Sequence, residues 1–153
     1  MLKRNLSEES IYIKILRARE SVLAFFKPVF RRYKMTEQQW RILATLKQHD
    51  LITFNELADV TLILRPSLTG ILNRLEKRGY VQRLKIEGDQ RKVSLRLTAD
   101  GESICDEMRG PINEQYAKVA AMFEADEFER LCKGLDVLNE LAEDQRAHSS
   151  QFY

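Results

Sequence analysis

The sequence predicts a mainly α fold with one small β-hairpin: a winged helix-turn-helix, flanked by helical dimerisation segments from both termini. Three observations carry this expectation. A stretch from Pro66 to Arg78 is punctuated as a helix at both ends, because proline suits the first helical turn and Gly79 suits the left-handed residue that closes it. Two short helices with strong start signals precede it. Two β-rich runs, Tyr80–Ile86 and Lys92–Leu97, follow it across a polar turn.

Taken in order, the first helix is expected to begin at Ser7-Glu-Glu-Ser10, where a hydroxyl can cap and two carboxylates can meet the positive end of the helix dipole. It runs to about Lys34, with Pro28 as a candidate kink. Ile11, Ile15, Val22, Leu23, Phe26, Phe30 and Tyr33 recur with the spacing of one face. Arg19 falls in the middle of that stripe, and a guanidinium on a buried face is costly unless an anion answers it. Its partner is therefore either a carboxylate of this chain or a dimer mate, or the acid group of a bound small molecule.

Met35-Thr-Glu-Gln-Gln-Trp40 opens the second helix, with Thr36 as cap, Gln39 closing a capping box, and Met35 against Trp40 as a hydrophobic staple. Thr53-Phe-Asn-Glu56 repeats the device, with Ile52 and Leu57 as the staple pair. The two helices are expected over about 37–47 and 54–60, and with the Pro66 helix they make a helix-turn-helix core. Arg65 occupies the expected N-cap of the third helix. Arginine does not cap, which favours a role toward a ligand over a role toward the helix.

In that third helix Leu68, Ile71, Leu72 and Leu75 form the apolar stripe, leaving a small, polar and basic outer face. Such a face fits a DNA major groove: small residues permit close approach, and Ser, Thr, Asn and Arg reach base edges and phosphates. The bland alternative is a solvated charged helix. Charge placement favours DNA, because residues 65–97 hold nine basic against three acidic residues while the whole chain is only +2. The hairpin turn Glu-Gly-Asp-Gln-Arg, with Gly88, Asp89 and Arg91 at its tip, suits a wing on the DNA backbone or minor groove. The expected DNA-binding set is Arg65, Pro66, Ser67, Thr69, Gly70, Asn73, Arg74, Lys77, Asp89, Arg91 and Lys92.

Thr98 caps a further helix, a break is expected at Gly110-Pro111, and Asp126 is a plausible cap for a last helix reaching about Ala147. These helices carry more apolar positions than a three-helix core with a wing can cover, so residues 7–34 and 99–147 are assigned to a dimer interface and residues 36–98 to the DNA-binding lobe of one domain spanning 1–153. No run is long enough to span a membrane and the first residues lack a signal peptide's apolar core, so a cytoplasmic location is expected. Cys105 and Cys132 are expected to be reduced structural thiols, and two histidines without ligand spacing argue no metal or cofactor. No nucleophile and base pair or glycine-rich phosphate loop suggests an enzyme.

Thr36-Glu-Gln-Gln-Trp-Arg-Ile-Leu, Leu75-Glu-Lys-Arg-Gly-Tyr-Val-Gln-Arg83 and Asp89-Gln-Arg-Lys-Val-Ser-Leu-Arg-Leu-Thr98 resemble the second helix, recognition-helix end and wing of the MarR-type winged-helix regulators. Ala18-Arg-Glu, Phe25-Phe-Lys-Pro28 and Ile63-Leu-Arg-Pro-Ser-Leu-Thr-Gly-Ile-Leu72 are similar to the branch that represses homoprotocatechuate (4-hydroxyphenylacetate) degradation. The resemblance implies a homodimeric repressor on a pseudopalindromic double-stranded operator, released by a small aromatic carboxylate effector. It further implies an effector pocket with Arg19 on the carboxylate, Trp40 and Phe26 beside the ring, and Arg41 or Ser21 as a polar contact. For Trp40 and Phe26 plain core is the favoured reading. The first-helix cysteine of redox-sensing members is missing from this sequence. A nonspecific or architectural DNA-binding protein without a ligand is the alternative.

Overall fold

A computed structural model describes the backbone of residues 10–86 and 89–149, and the side chains of residues 10–85 and 93–140. The element order is α1 (Ile11–Arg32), α2 (Glu37–Gln48), β1 (Ile52–Thr53), α3 (Phe54–Thr61), α4 (Arg65–Lys77), β2 (Val81–Ile86), β3 (Asp89–Leu97), α5 (Ala99–Ala120) and α6 (Glu127–Ser149). The strands form one antiparallel sheet in the order β1-β3-β2. The mainly α class with a small hairpin is therefore observed.

Both capping boxes form. Thr36 Oγ accepts from the Gln39 amide at 3.1 Å while the Thr36 amide donates to Gln39 Oε1 at 2.9 Å. At the start of α3 the Thr53 amide donates to Glu56 Oε2 at 2.8 Å and Thr53 Oγ accepts from the Glu56 amide at 3.3 Å. Those bonds to Thr53 hold the Glu56 carboxyl below its ordinary pKa. The helix α4 closes on Gly79, whose φ of 75° is the left-handed conformation expected there. The Tyr80 amide donates to Leu75 O at 3.0 Å and the Gly79 amide to Glu76 O at 2.9 Å, the paired bonds of a Schellman end.

A second ending of this type closes α1 without a glycine. Lys34 takes φ 49°, and the Met35 and Lys34 amides donate to Phe30 O and Arg31 O at 2.9 and 3.1 Å. Residue composition gives no hint of it. The two-residue strand β1 is likewise unsignalled; Ile52 and Thr53 pair with Leu95 and Ser94 and hold the start of α3 against the hairpin.

Residues Met1–Gln115 and Tyr116–Tyr153 form two compact units. The core of the first contains Phe26, Val29 and Phe30 of α1, Ile42, Leu43 and Leu46 of α2, Leu57 of α3, all four stripe residues of α4, Leu95 and Leu97 of β3, and Cys105, Met108 and Ile112 of α5. Thr98 caps α5 through its Oγ, which accepts from the Gly101 amide at 3.0 Å. The Tyr80 carbonyl packs on that first turn so closely that a Cβ on Gly101 would lie 2.0 Å from it. In the second unit Phe123 and Phe128 are in ring contact at 5.5 Å across the turn into α6.

Several expectations are corrected. The helix α1 begins at Ile11 with Ser10 at the N-cap and no acid in its first turn, while Ser7, Glu8 and Glu9 lie outside the described residues. Gly110 and Pro111 sit inside a continuous α5, and the chain turns after Ala120 instead. Proline at that point costs one backbone bond without ending the helix. Asp126, by contrast, stands in its expected place immediately before α6, and its carboxylate pairs with Arg130 at 2.5 Å. The expected stripe of α1 is buried only from Phe26 onward; Ile11, Ile15 and Val22 are exposed, as are Leu131, Leu135 and Leu138 of α6.

Candidate nucleic-acid interface and a charged cavity

The burial of Leu68, Ile71, Leu72 and Leu75 fixes the opposite face of α4 outward. Arg65, Pro66, Ser67, Thr69, Asn73, Arg74 and Lys77 are exposed and Gly70 is half-buried, so one helix face brings together eight of the expected residues. At Gly70 an added Cβ would meet only Arg74 Nη1, at 3.8 Å. Nothing in the fold requires glycine there, and a helical glycine costs about 1 kcal/mol relative to alanine. Its effect is an outer surface with no side chain at mid-helix.

Arg65 is not the N-cap. Leu64 holds that position and Arg65 is the first helical residue, with Pro66 second. The Arg65 guanidinium donates to Asn55 Oδ1 from Nε at 3.0 Å and to Asp59 Oδ1 from Nη2 at 3.2 Å, clamping α4 to α3. Asn73 is also held: Arg83 of β2 donates to its Oδ1 at 2.8 Å and pairs with Glu76 at 3.0 Å. That bond occupies the Asn73 Oδ1. Arg83 was absent from the expected set; only the hairpin's return toward α4 puts it there. Thr69 donates its hydroxyl hydrogen to Arg65 O at 3.3 Å.

Arg78, one of the nine basic residues of 65–97, faces inward. It donates to Lys34 O at 2.8 Å and Tyr33 O at 3.3 Å, and its guanidinium lies 4.8 Å from the Tyr80 ring centroid. This guanidinium closes the C-terminal end of α1, where carbonyls lack helical partners.

Asp89 and Arg91 belong to strand β3, not to the turn: Asp89 pairs with Ile86, next to an irregularity at Lys85/Ile86. Only Glu87 and Gly88 separate the strands, and both lie outside the described residues, as do the side chains of Asp89, Arg91 and Lys92. The longer β3 follows from the turn being shorter than the polar run Glu-Gly-Asp-Gln-Arg suggested.

Arg19 is not buried. Its side chain is 49% exposed and pairs with Glu20 at 2.8 Å and with Glu37 at 3.7 Å. Of the open choices for its partner, carboxylates of the same chain answer it in this structure. Glu37 also receives Arg41: Nη2 donates to Oε2 at 3.2 Å. Arg41 Nε is 3.1 Å from Oε1, yet that atom is buried without a hydrogen-bond partner among the described residues, so the contact is an ion pair by distance only. One carboxylate thus serves two guanidinia.

Glu37 also walls a cavity of about 380 Å³ with Leu23, Lys27, Phe30, Arg31 and Met35. Its walls are mostly apolar and its charged groups are two cations and one anion. Phe26 is instead a core residue, its ring centroid 6.2 Å from that of Phe30. Trp40 is half-buried against the core and Ser21 is exposed. The cavity and the expected ligand set therefore meet through Glu37, which sequence reasoning passed over because acids in a first helical turn are ordinary.

Cys105 is buried, and burial pushes its thiol pKa up to about 11. It fits a structural thiol. Cys132 is exposed, which corrects that expectation for the second cysteine. Among the described residues no helix is long and apolar enough to cross a membrane.

Residues 35–93 match the model of the MarR family. The chain is 42% identical over 123 residues to the homoprotocatechuate degradative operon repressor of Escherichia coli, covering 80% of this chain and 83% of that protein. The chain belongs to the MarR family. This MarR-family transcriptional regulator is also 40% identical over 141 residues to the HTH-type transcriptional regulator FarR of Neisseria gonorrhoeae, covering 92% and 94% of the two chains. Among solved structures it is similar to NadR in complex with 4-hydroxyphenylacetate, with a TM-score of 0.76, 40% identity, and coverage of 93% of this chain and 98% of that one.

Proposed function

We propose that the protein is a homodimeric, sequence-specific repressor that holds a pseudopalindromic operator through α4 and the wing, and releases it when an aromatic carboxylate binds. The observation that carries this reading is the outward face of α4, polar and basic along its length and open at Gly70, on a helix whose other face is fully buried. Arg65, Ser67, Thr69, Asn73, Arg74 and Lys77 are the base and phosphate contacts, and Pro66 sets the entry of the helix. Asp89, Arg91 and Lys92 act from the wing. The operon controlled is one for degrading an aromatic acid, by analogy with the Escherichia coli repressor.

The second copy covers the apolar side chains that one chain leaves exposed on α1 and α6, with residues 7–34 and 99–147 as the dimer helices and 36–98 as the DNA-binding lobe. A twofold axis places two α4 helices in successive major grooves, about 34–36 Å apart. The effector ring enters the cavity walled by Leu23, Phe30 and Met35 and its carboxylate meets Arg19 and Arg41. Trp40 and Ser21 lie at the edge of that site. Phe26 supports it from the core by backing Phe30. Binding there favours a lobe spacing that does not fit the operator, which takes a coupling of about 1–3 kcal/mol.

The test is a mobility-shift assay on the intergenic DNA beside the gene, titrated with hydroxylated phenylacetates and benzoates. A shift that survives excess unrelated DNA and disappears with one of the acids is expected. Equal binding to unrelated DNA and indifference to every acid would instead identify an architectural DNA-binding protein.

A further inference from the structure

We propose that Glu37 is a resident competitor of the effector: it pairs with Arg19 and Arg41 and thereby sets the concentration at which a carboxylate ligand binds. This rests on the effector reading above and adds a regulatory residue to that site.

The geometry begins with placement. Glu37 is the first residue of α2, fixed there by the Thr36 and Gln39 box; its carboxylate reaches Arg41, one turn along α2, and lies 3.7 Å from Arg19 of α1, whose hydrogen bond at 2.8 Å goes to Glu20. A carboxylate at a helix start is favoured by the helix dipole, so the position is stable without either arginine. The same side chain is part of the cavity wall beside Leu23, Phe30 and Met35. Glu37 is common to the cavity wall and to the Arg19 and Arg41 ion pairs, so a ring resting on those apolar residues lies against the same carboxylate that the guanidinia contact.

Stoichiometry then favours exchange. Two guanidinia offer ten N–H donors between them, and Glu37 leaves Arg41 Nε without a hydrogen bond. Lys27 and Arg31 add positive charge on the cavity wall. A second carboxylate can therefore be accommodated electrostatically, but it must either displace Glu37 or lie beside it. Two like charges sharing a site repel, and each option weakens ligand binding relative to a site without Glu37. The arrangement keeps the guanidinia from capturing stray anions and demands a ligand whose ring contributes apolar binding as well.

The experiment is isothermal titration of the full-length protein and Glu37→Gln with 4-hydroxyphenylacetate and with its neutral amide, 4-hydroxyphenylacetamide, after thermal melting has established that both proteins fold. Glu37→Ala serves as a second charge-removing variant and is read in the same way. The acid is expected to bind Glu37→Gln about ten-fold more tightly, an order-of-magnitude figure for removing one screened like charge, while affinity for the amide is unchanged. Acid binding that is unchanged or weaker in both variants, with normal binding to the unaltered protein, overturns the competitor role alone. An equal gain for acid and amide also overturns it, because the gain then comes from space and not charge. If neither the unaltered protein nor the variants bind any hydroxylated phenylacetate or benzoate, the effector reading falls and takes this inference with it.

Discussion

Arg65 and Arg83, at the outward face of α4, and Arg19 and Arg41, around Glu37, are all held by carboxylates, but in different proportions. Arg65 on α4 and Arg83 beside it each have their own acid, Asp59 and Glu76. Around Glu37 two guanidinia divide one carboxylate, apart from the exposed contact of Arg19 with its neighbour Glu20. One acid per cation orients a side chain proposed to meet a polyanion whose own charge density is high. Around Glu37 the sharing is uneven: Glu20 answers Arg19 as well, and what is left over is the Arg41 Nε without a hydrogen-bond partner among the described residues. Exposed ion pairs of either sort contribute little to stability, so their value lies in positioning.

The sharpest way to break the comparison is a pair of substitutions. Arg65→Ala is expected to weaken operator binding by about 1–3 kcal/mol and leave effector affinity unaltered. Arg19→Ala is expected to preserve operator binding and abolish the effector response. Mobility shifts with and without the acid measure both; if Arg19→Ala loses operator binding as well, its pair with Glu37 is structural and the distinction fails.

Next in size, Arg83→Ala frees the Asn73 amide to turn, so about 1 kcal/mol of discrimination is expected to disappear at the base pair Asn73 reads, with other positions unaffected. A substitution scan of the operator shows whether the loss is local. Gly70→Ala is expected to stabilise the fold by roughly 0.5–1 kcal/mol while weakening operator binding. Paired melting and binding curves would refute the open-surface argument if both rose together. The smallest effect is expected from Arg91→Ala, which should flatten the salt dependence of DNA affinity by about one unit for all sequences alike. An unchanged slope would remove the wing from the contact surface.

Local chemistry was the legible part of this sequence. The Thr36 and Thr53 boxes, the Pro66 and Gly79 bounds and the stripe from Leu68 to Leu75 each depend on residues within four positions of one another, and all formed. Contacts across the chain were not legible. Nothing near Arg83 in sequence announces Asn73, and nothing near Arg78 announces the end of α1. The burial assigned to Arg19 failed for a related reason: periodicity located the stripe of α1, but in a single chain only its C-terminal half is covered. Lys34 escaped notice because a left-handed residue is ordinarily sought at glycine or asparagine. The uninterrupted α5 shows that a Gly-Pro pair weakens a helix locally without ending it when residues such as Met108 and Ile112 on either side are buried.

The inward turn of Arg78 has a mechanical corollary. Its side chain joins the final turn of the reading helix to the bend at Tyr33–Met35, and Met35 is simultaneously a wall of the chamber in front of Glu37. A ligand that pushes on that wall acts one residue away from a strut already bolted to α4. Small displacements at the chamber need no long relay through the interior to reach the surface proposed to meet the double helix.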